Sequence, residues 1–241
     1  MVLYLPEGWL KDLERCRRVK IPKGTPFRTK HELVIELIDT IREWNIDLAP
    51  VLGDQAYGDC IALRIAITAC EMTYCMNVSR SLGLYTADTS FEVPAATGTS
   101  GRPFKRPRPD RAALSAQKLG DAETDKSEIV YRTTRQQRDL TGVFSFHRVR
   151  AAQTLRDTGQ LPDEEWLIVQ HPHGSHDRYK HWLCNLPADA NPGELAKLAR
   201  MRWTIELDYK QLKGHLGLNH FEGRSWARWH KHYTLVTVAH A

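Results

Sequence analysis

In the run Leu48-Ala49-Pro50-Val51-Leu52-Gly53-Asp54-Gln55-Ala56-Tyr57-Gly58-Asp59, an apolar stretch gives way at Gly53 to glycine and aspartate. A short apolar run bounded by turn residues reads as a buried strand. Leu48 to Leu52 is therefore predicted to be a central strand that delivers Asp54 at its carboxyl end. Downstream, Ile61 to Cys70 reads as a helix and Met72 to Val78 as a second strand. Upstream, Thr29-Lys30-His31-Glu32 has the form of a capping box, in which a threonine hydroxyl and a glutamate satisfy free backbone donors. Val34, Leu37, Ile38 and Ile41 then recur at helical spacing and form one apolar stripe. Before that helix lie a basic polar stretch (Arg15, Arg17, Arg18, Lys20, Lys23) and, at residues 1–6, a short strand ending at Pro6.

Beyond about Thr86 the composition shifts to Pro, Gly, Ser and Thr, which predicts a loop or mobile insertion up to about Lys126. It carries the basic cluster Arg102-Pro103-Phe104-Lys105-Arg106-Pro107-Arg108. Gly101-Arg102-Pro103 has two readings, the core of a minor-groove hook or part of a solvated basic linker. Strand signals return at Val143–Val149, Glu165–Val169 and His181–Leu186, the last two flanking a turn at Gly174-Ser175. His171, His173, His176 and His181 surround that turn, but a hairpin tip is a poor frame for metal ligands.

The 241 residues are 41% hydrophobic and 26% charged, a globular composition with enough apolar mass for one sizeable core. Lys and Arg exceed Asp and Glu by 34 to 29, and the pI is about 9.0, which suits a polyanionic partner without establishing one. Five cysteines without C-x-x-C spacing suggest neither a zinc ribbon nor a disulfide framework, and point to a reduced, cytoplasmic setting. No apolar run reaches the roughly 20 residues of a membrane span, and the first residues lack the features of a signal peptide. Both ends have the look of cuts within a longer chain: Met1 leads straight into a strand-like run, and Leu235 to Ala241 stop in an apolar segment.

The last part reads as helical. Asn191, Pro192 and Glu194 mark a helix start, and the helix is predicted to continue to Lys213. Arg202, Glu206, Tyr209 and Lys213 fall at i, i+4, i+7 and i+11 on one narrow face, within roughly 60° of arc. On an arbitrary helix this would be a solvated face with i,i+4 charge pairs. Here Leu195, Leu198, Ile205 and Leu212 cover an adjacent stripe, so the polar face is predicted to border the core. Gly223-Arg224-Ser225 opens a further helix with Trp226, Trp229, Tyr233 and Val236 on one side and Arg224, Arg228 and Lys231 on another.

Arg202, three residues, Glu206, six residues and Lys213 resemble the Y-R-E-K signature of insertion-sequence transposases in the DDE superfamily. The signature's tyrosine is replaced by Ala199. Asp54-Gln55-Ala56-Tyr57-Gly58 is similar to the motif that holds the family's second aspartate. Tyr209-Lys210-Gln211-Leu212-Lys213 and His220-Phe221-Glu222-Gly223-Arg224-Ser225-Trp226 also resemble the family.

The resemblance implies an α/β, RNase H-like core lacking its opening strands. Residues 1–79 would form the first part of that core, 80–188 a β-rich insertion, and 189–241 the helical part with the catalytic glutamate. It implies Asp54 and Glu206 as catalytic metal ligands for Mg²⁺ or Mn²⁺, two ions in the intact enzyme. Two such ions can activate the attacking oxygen and neutralise the departing one in phosphodiester chemistry. Arg202 and Lys213 inherit a phosphate-holding role, and the Arg224, Arg228 and Lys231 face is a further DNA-binding candidate. The expected partners are double-stranded DNA and a second copy of the chain on DNA. The family's first aspartate finds no match, because Asp12, Asp39 and Asp47 do not fit and Asp59 reads as a helix cap. The chain is therefore expected to bind DNA without cutting it. The rival readings are a non-catalytic DNA-binding remnant and a metal-dependent nuclease of the same fold.

Overall fold

The computed structural model describes residues 2–94, 105–122, 126–131, 139–172 and 179–240. In chain order the elements are α1 (Glu7–Lys11), α2 (Leu13–Arg18), α3 (Lys30–Glu43), β1 (Val51–Gly53), α4 (Gln55–Gly58), α5 (Ile61–Ala69), β2 (Tyr74–Asn77), β3 (Gly83–Thr86), β4 (Phe91–Glu92), β5 (Arg108–Pro109), β6 (Leu114–Ser115), α6 (Ala116–Ala122), β7 (Ser127–Tyr131), β8 (Leu140–Ala151), α7 (Ala152–Thr158), β9 (Glu164–His171), β10 (Lys180–Cys184), α8 (Pro192–Met201), α9 (Trp203–Gly214) and α10 (Trp226–His240). They fall into two compact units, one made of Leu48–Met201 and the other of Met1–Asp47 with Arg202–Ala241.

The larger unit is built on an eight-stranded mixed sheet in the order β1-β2-β10-β9-β8-β3-β6, with β7 pairing β8. β1 and β2 run parallel, with Leu52 opposite Cys75, and the other ladders are antiparallel. β9 shows why the sheet is covered on both faces. Trp166 and Ile168 join Phe144, Trp182 and the α8 residues Leu195, Leu198 and Ala199 in one core cluster. From the other side of β9, Glu165 meets Arg64 of α5, and Val169 lies against Gly120 of α6, where an added Cβ would come within 2.9 Å. A strand buried on both faces carries a continuous apolar run, as Trp166 to Val169 does.

The smaller unit is helical, and Ile21, Ile38, Leu218 and Val236 are its buried apolar side chains among the described residues. Its most legible feature is the start of α3. The Glu32 N–H donates to the Thr29 hydroxyl (3.2 Å), and the Thr29 N–H donates to the Glu32 carboxylate (2.7 Å), so the predicted capping box is present. These bonds hold the Glu32 carboxyl below its usual range, the backbone bond from Thr29 being the larger cause.

Several expectations are corrected. Residues 2–6 form no strand; Pro6 instead precedes α1, and the basic stretch beyond it contains α2. The Leu48–Leu52 strand is shorter and lies at the sheet edge rather than its centre. Pro50 has no N–H to give a ladder, and β1 starts only at Val51, whose N–H donates to the Thr73 carbonyl (2.8 Å). The stretch predicted as loop from 86 to 126 contains the β4–β5 ribbon, β6 and α6 among its described residues. The single helix from Pro192 to Lys213 is broken at Arg202, where an i→i+3 bond from the Ile205 N–H to the Arg202 carbonyl (3.0 Å) separates α8 from α9.

Candidate functional site

Gly53-Asp54-Gln55-Ala56-Tyr57-Gly58 turns from β1 directly into α4. Asp54 lies at the carboxyl end of β1 with extended backbone, and its Oδ1 accepts the Ala56 N–H (3.0 Å) as the N-cap of α4. It is exposed, whereas Gly53 and Gly58 on either side are buried. The glycines are there for space. A Cβ on Gly58 would stand 2.0 Å from the Asn77 carbonyl oxygen, and one on Gly53 would meet Tyr57 and Met76 at 3.0 and 3.3 Å. The turn is thus pressed against β2, and Asp54 is presented on a backbone with little freedom. Asp59 caps a helix as expected, at the C-terminal end of α4, and its carboxylate accepts the Ser79 N–H (2.9 Å), which ties the far end of the turn to the chain after β2; Cys60, without a side-chain bond, is the N-cap of α5.

Behind this turn is a buried polar network that sequence reasoning missed. Arg64 of α5, 2% exposed, donates through Nη1 to the Gly58 carbonyl and places Nε 3.6 Å from the Glu165 carboxylate. The Tyr74 hydroxyl donates to the same carboxylate. Burial pushes the Glu165 carboxyl up, against the opposing pull of the Arg64 guanidinium and the Tyr74 hydrogen bond, and burial likewise raises the Tyr74 phenol. A single arginine inside Ile61-Ala62-Leu63-Arg64-Ile65-Ala66-Ile67 was the available signal. A buried charge requires a partner.

The signature residues lie on the other unit. Arg202 and Glu206 form an i,i+4 ion pair at 3.0 Å with both side chains partly exposed, and the Lys213 ammonium stands 5.7 Å from the centroid of the exposed Tyr209 ring. No residue of α9 is buried, so Ile205 and Leu212 do not make the core border expected of them. Leu195, Leu198 and Ala199 do reach a core, but from α8. Arg224, Arg228 and Lys231 are all exposed, the last two three residues apart on α10.

The histidines are split in the same way. His171 Nε2 lies 2.8 Å from the Ser145 hydroxyl, and His147 Nε2 is 3.2 Å from it. His181 is buried, and desolvation brings its pKa down to about 4. His173, His176, the Gly174-Ser175 turn and Gly101-Arg102-Pro103 lie outside the described residues. Among the described residues, no three His, Cys, Asp or Glu side chains are grouped as a metal site, and no helix is long and apolar enough to cross a membrane.

The chain matches the family model of the DDE superfamily endonucleases over residues 1–140, more than half its length and the part that contains Asp54. The chain belongs to this family. Glu206 and the cationic residues from Arg202 onward lie beyond the matched segment. The mixed α/β architecture suits a nuclease domain of this kind, whose substrate is DNA and which generally works with divalent metal ions. No curated protein matches the chain.

Proposed function

We propose that this protein is a transposase of a bacterial insertion sequence, cutting and joining DNA by metal-dependent phosphodiester chemistry on an RNase H-like core. The observation that carries the reading is Asp54. It lies within the family match, exposed at the carboxyl end of a strand and held by a turn that packing admits only with glycine at position 58. Ligands of open α/β sheets gather at such strand ends.

Asp54 and Glu206 are the proposed metal ligands; bound Mg²⁺ or Mn²⁺ would supply charge neutralisation and an activated oxygen nucleophile. Arg202 and Lys213 are assigned to DNA phosphates, the guanidinium suited to bidentate contact and the ammonium to a point charge. Arg224, Arg228 and Lys231 extend that cationic surface, and self-association on DNA belongs to the same reading. The Arg202–Glu206 pair would have to open for both residues to act, a small cost for an exposed i,i+4 pair. A second reading, a chain that binds DNA without cutting it, rests on the family's first aspartate finding no match among Asp12, Asp39, Asp47 and Asp59.

Supercoiled plasmid and DNA carrying the cognate element ends, incubated with Mn²⁺, separate these readings. Metal-dependent nicking that falls to background in Asp54→Asn and Glu206→Gln, with DNA binding kept, supports the first, and joined product adds strand transfer. Binding without nicking selects the second reading. Nicking that survives Asp54→Asn removes Asp54 from the site.

A further inference from the structure

A second feature of the smaller unit is a cavity of about 890 Å³, within the usual size range of small-ligand sites. Its walls come from three stretches: the residues leading into α1, the turn after α2, and the approach to α10. They are joined where the Trp226 N–H donates to the Val19 carbonyl (2.8 Å). Tyr4, Trp9, Trp226 and Trp229 supply aromatic surface, and Arg18 and Arg224 supply positive charge. No carboxylate lines the cavity, and neither arginine has an ion-pair partner among the described residues.

We infer that this cavity receives an unpaired nucleobase of a DNA strand, stacked on the aromatic rings, with Arg18 and Arg224 holding the adjoining phosphates. The inference rests on the DNA-substrate reading above and assigns DNA contacts to residues other than the proposed metal ligands. Aromatic faces combined with cations are the usual means of binding unpaired bases, because every base has a π face and every nucleotide a phosphate. Cations already stand over two of these rings, Arg15 at 5.0 Å from the Trp9 centroid and Lys30 at 5.4 Å from that of Tyr4, so the rings lie in a positive environment. A concave pocket of this size accommodates a single base, whereas a paired duplex would contact only its rim.

The test compares two duplexes of one sequence, one fully paired and one carrying a single bulged base, by fluorescence anisotropy with the full chain at fixed salt. Stacking one base predicts a preference for the bulged duplex on the order of tenfold. Trp9 is 39% exposed and Tyr4 36%, so Trp9→Ala and Tyr4→Ala should leave the fold intact. Both are expected to bind the paired duplex as wild type does and to lose most of the preference. Equal wild-type affinity for the two duplexes overturns this inference alone, as does a preference that survives both substitutions. Loss of self-association in Trp9→Ala, with the preference unchanged, would make the cavity an interface between copies and overturn it too. Failure to bind either duplex overturns the DNA reading itself, and this inference with it.

Discussion

Two segments carry the carboxylates assigned to metal, and the chain builds them in opposite ways. The turn from Gly53 to Asp59 is fixed from behind: Gly58 touches the β2 backbone, Arg64 holds the Gly58 carbonyl, and Asp59 holds the Ser79 N–H. Helix α9 has no buried residue, and its polar face is satisfied by its own neighbours, Arg202 with Glu206 and Lys213 with Tyr209. The larger unit buries twenty-five apolar side chains among its described residues and the smaller unit four. A residue can therefore be positioned by packing in the first region, while in the second Glu206 is paired within its own helix and α9 meets α10 through the partly exposed Asp208 and His240, 3.9 Å apart. Asp54 owes its placement to the fold around it; Glu206 owes its placement to helical spacing.

Arg64 is where substitution has the largest expected effect. Replacing it with alanine leaves Glu165 buried without its cation and should cost about 3–5 kcal/mol, seen as a lower urea midpoint and faster hydrogen exchange in β2 and β9. A change below about 1 kcal/mol would mean that the network does not support the Asp54 turn.

Glycine substitutions sharpen the contrast. Gly58→Ala should cost about 3 kcal/mol, since its methyl group meets backbone rather than a movable side chain. Gly214→Ala, at the end of α9 with nothing within 4 Å of the added Cβ, should change stability by no more than about 1 kcal/mol and in the favourable direction. Equal effects on the urea midpoint would remove the distinction between the two segments.

The smallest effect belongs to the signature pair. Arg202→Ala removes an exposed i,i+4 ion pair and should cost about 0.3–0.5 kcal/mol of stability. Its effect on DNA affinity should be larger than its effect on the midpoint. A stability loss above 1 kcal/mol would show that Arg202 is structural.

Local chemistry is what the sequence determined unaided. The capping box of α3 depends on four adjacent residues, the strand–turn–helix around Asp54 on a short apolar run followed by glycine, and the spacing of Arg202, Glu206 and Lys213 on helical geometry. The family membership follows from residues 1–140. Tertiary structure alone decided the rest. That β1 is an edge strand depends on which strands pair with β2, a matter of contacts between residues more than a hundred positions apart, as between Cys75 and Cys184. The break at Arg202 interrupts a periodicity that reads as continuous, because α8 has a core to pack into and the sequence of α9 provides no comparable buried stripe. Arg64 and Glu165 look like an ordinary helix charge and an ordinary strand charge until the fold buries them together, and burial, being a property of all the surrounding chain, has no local signature.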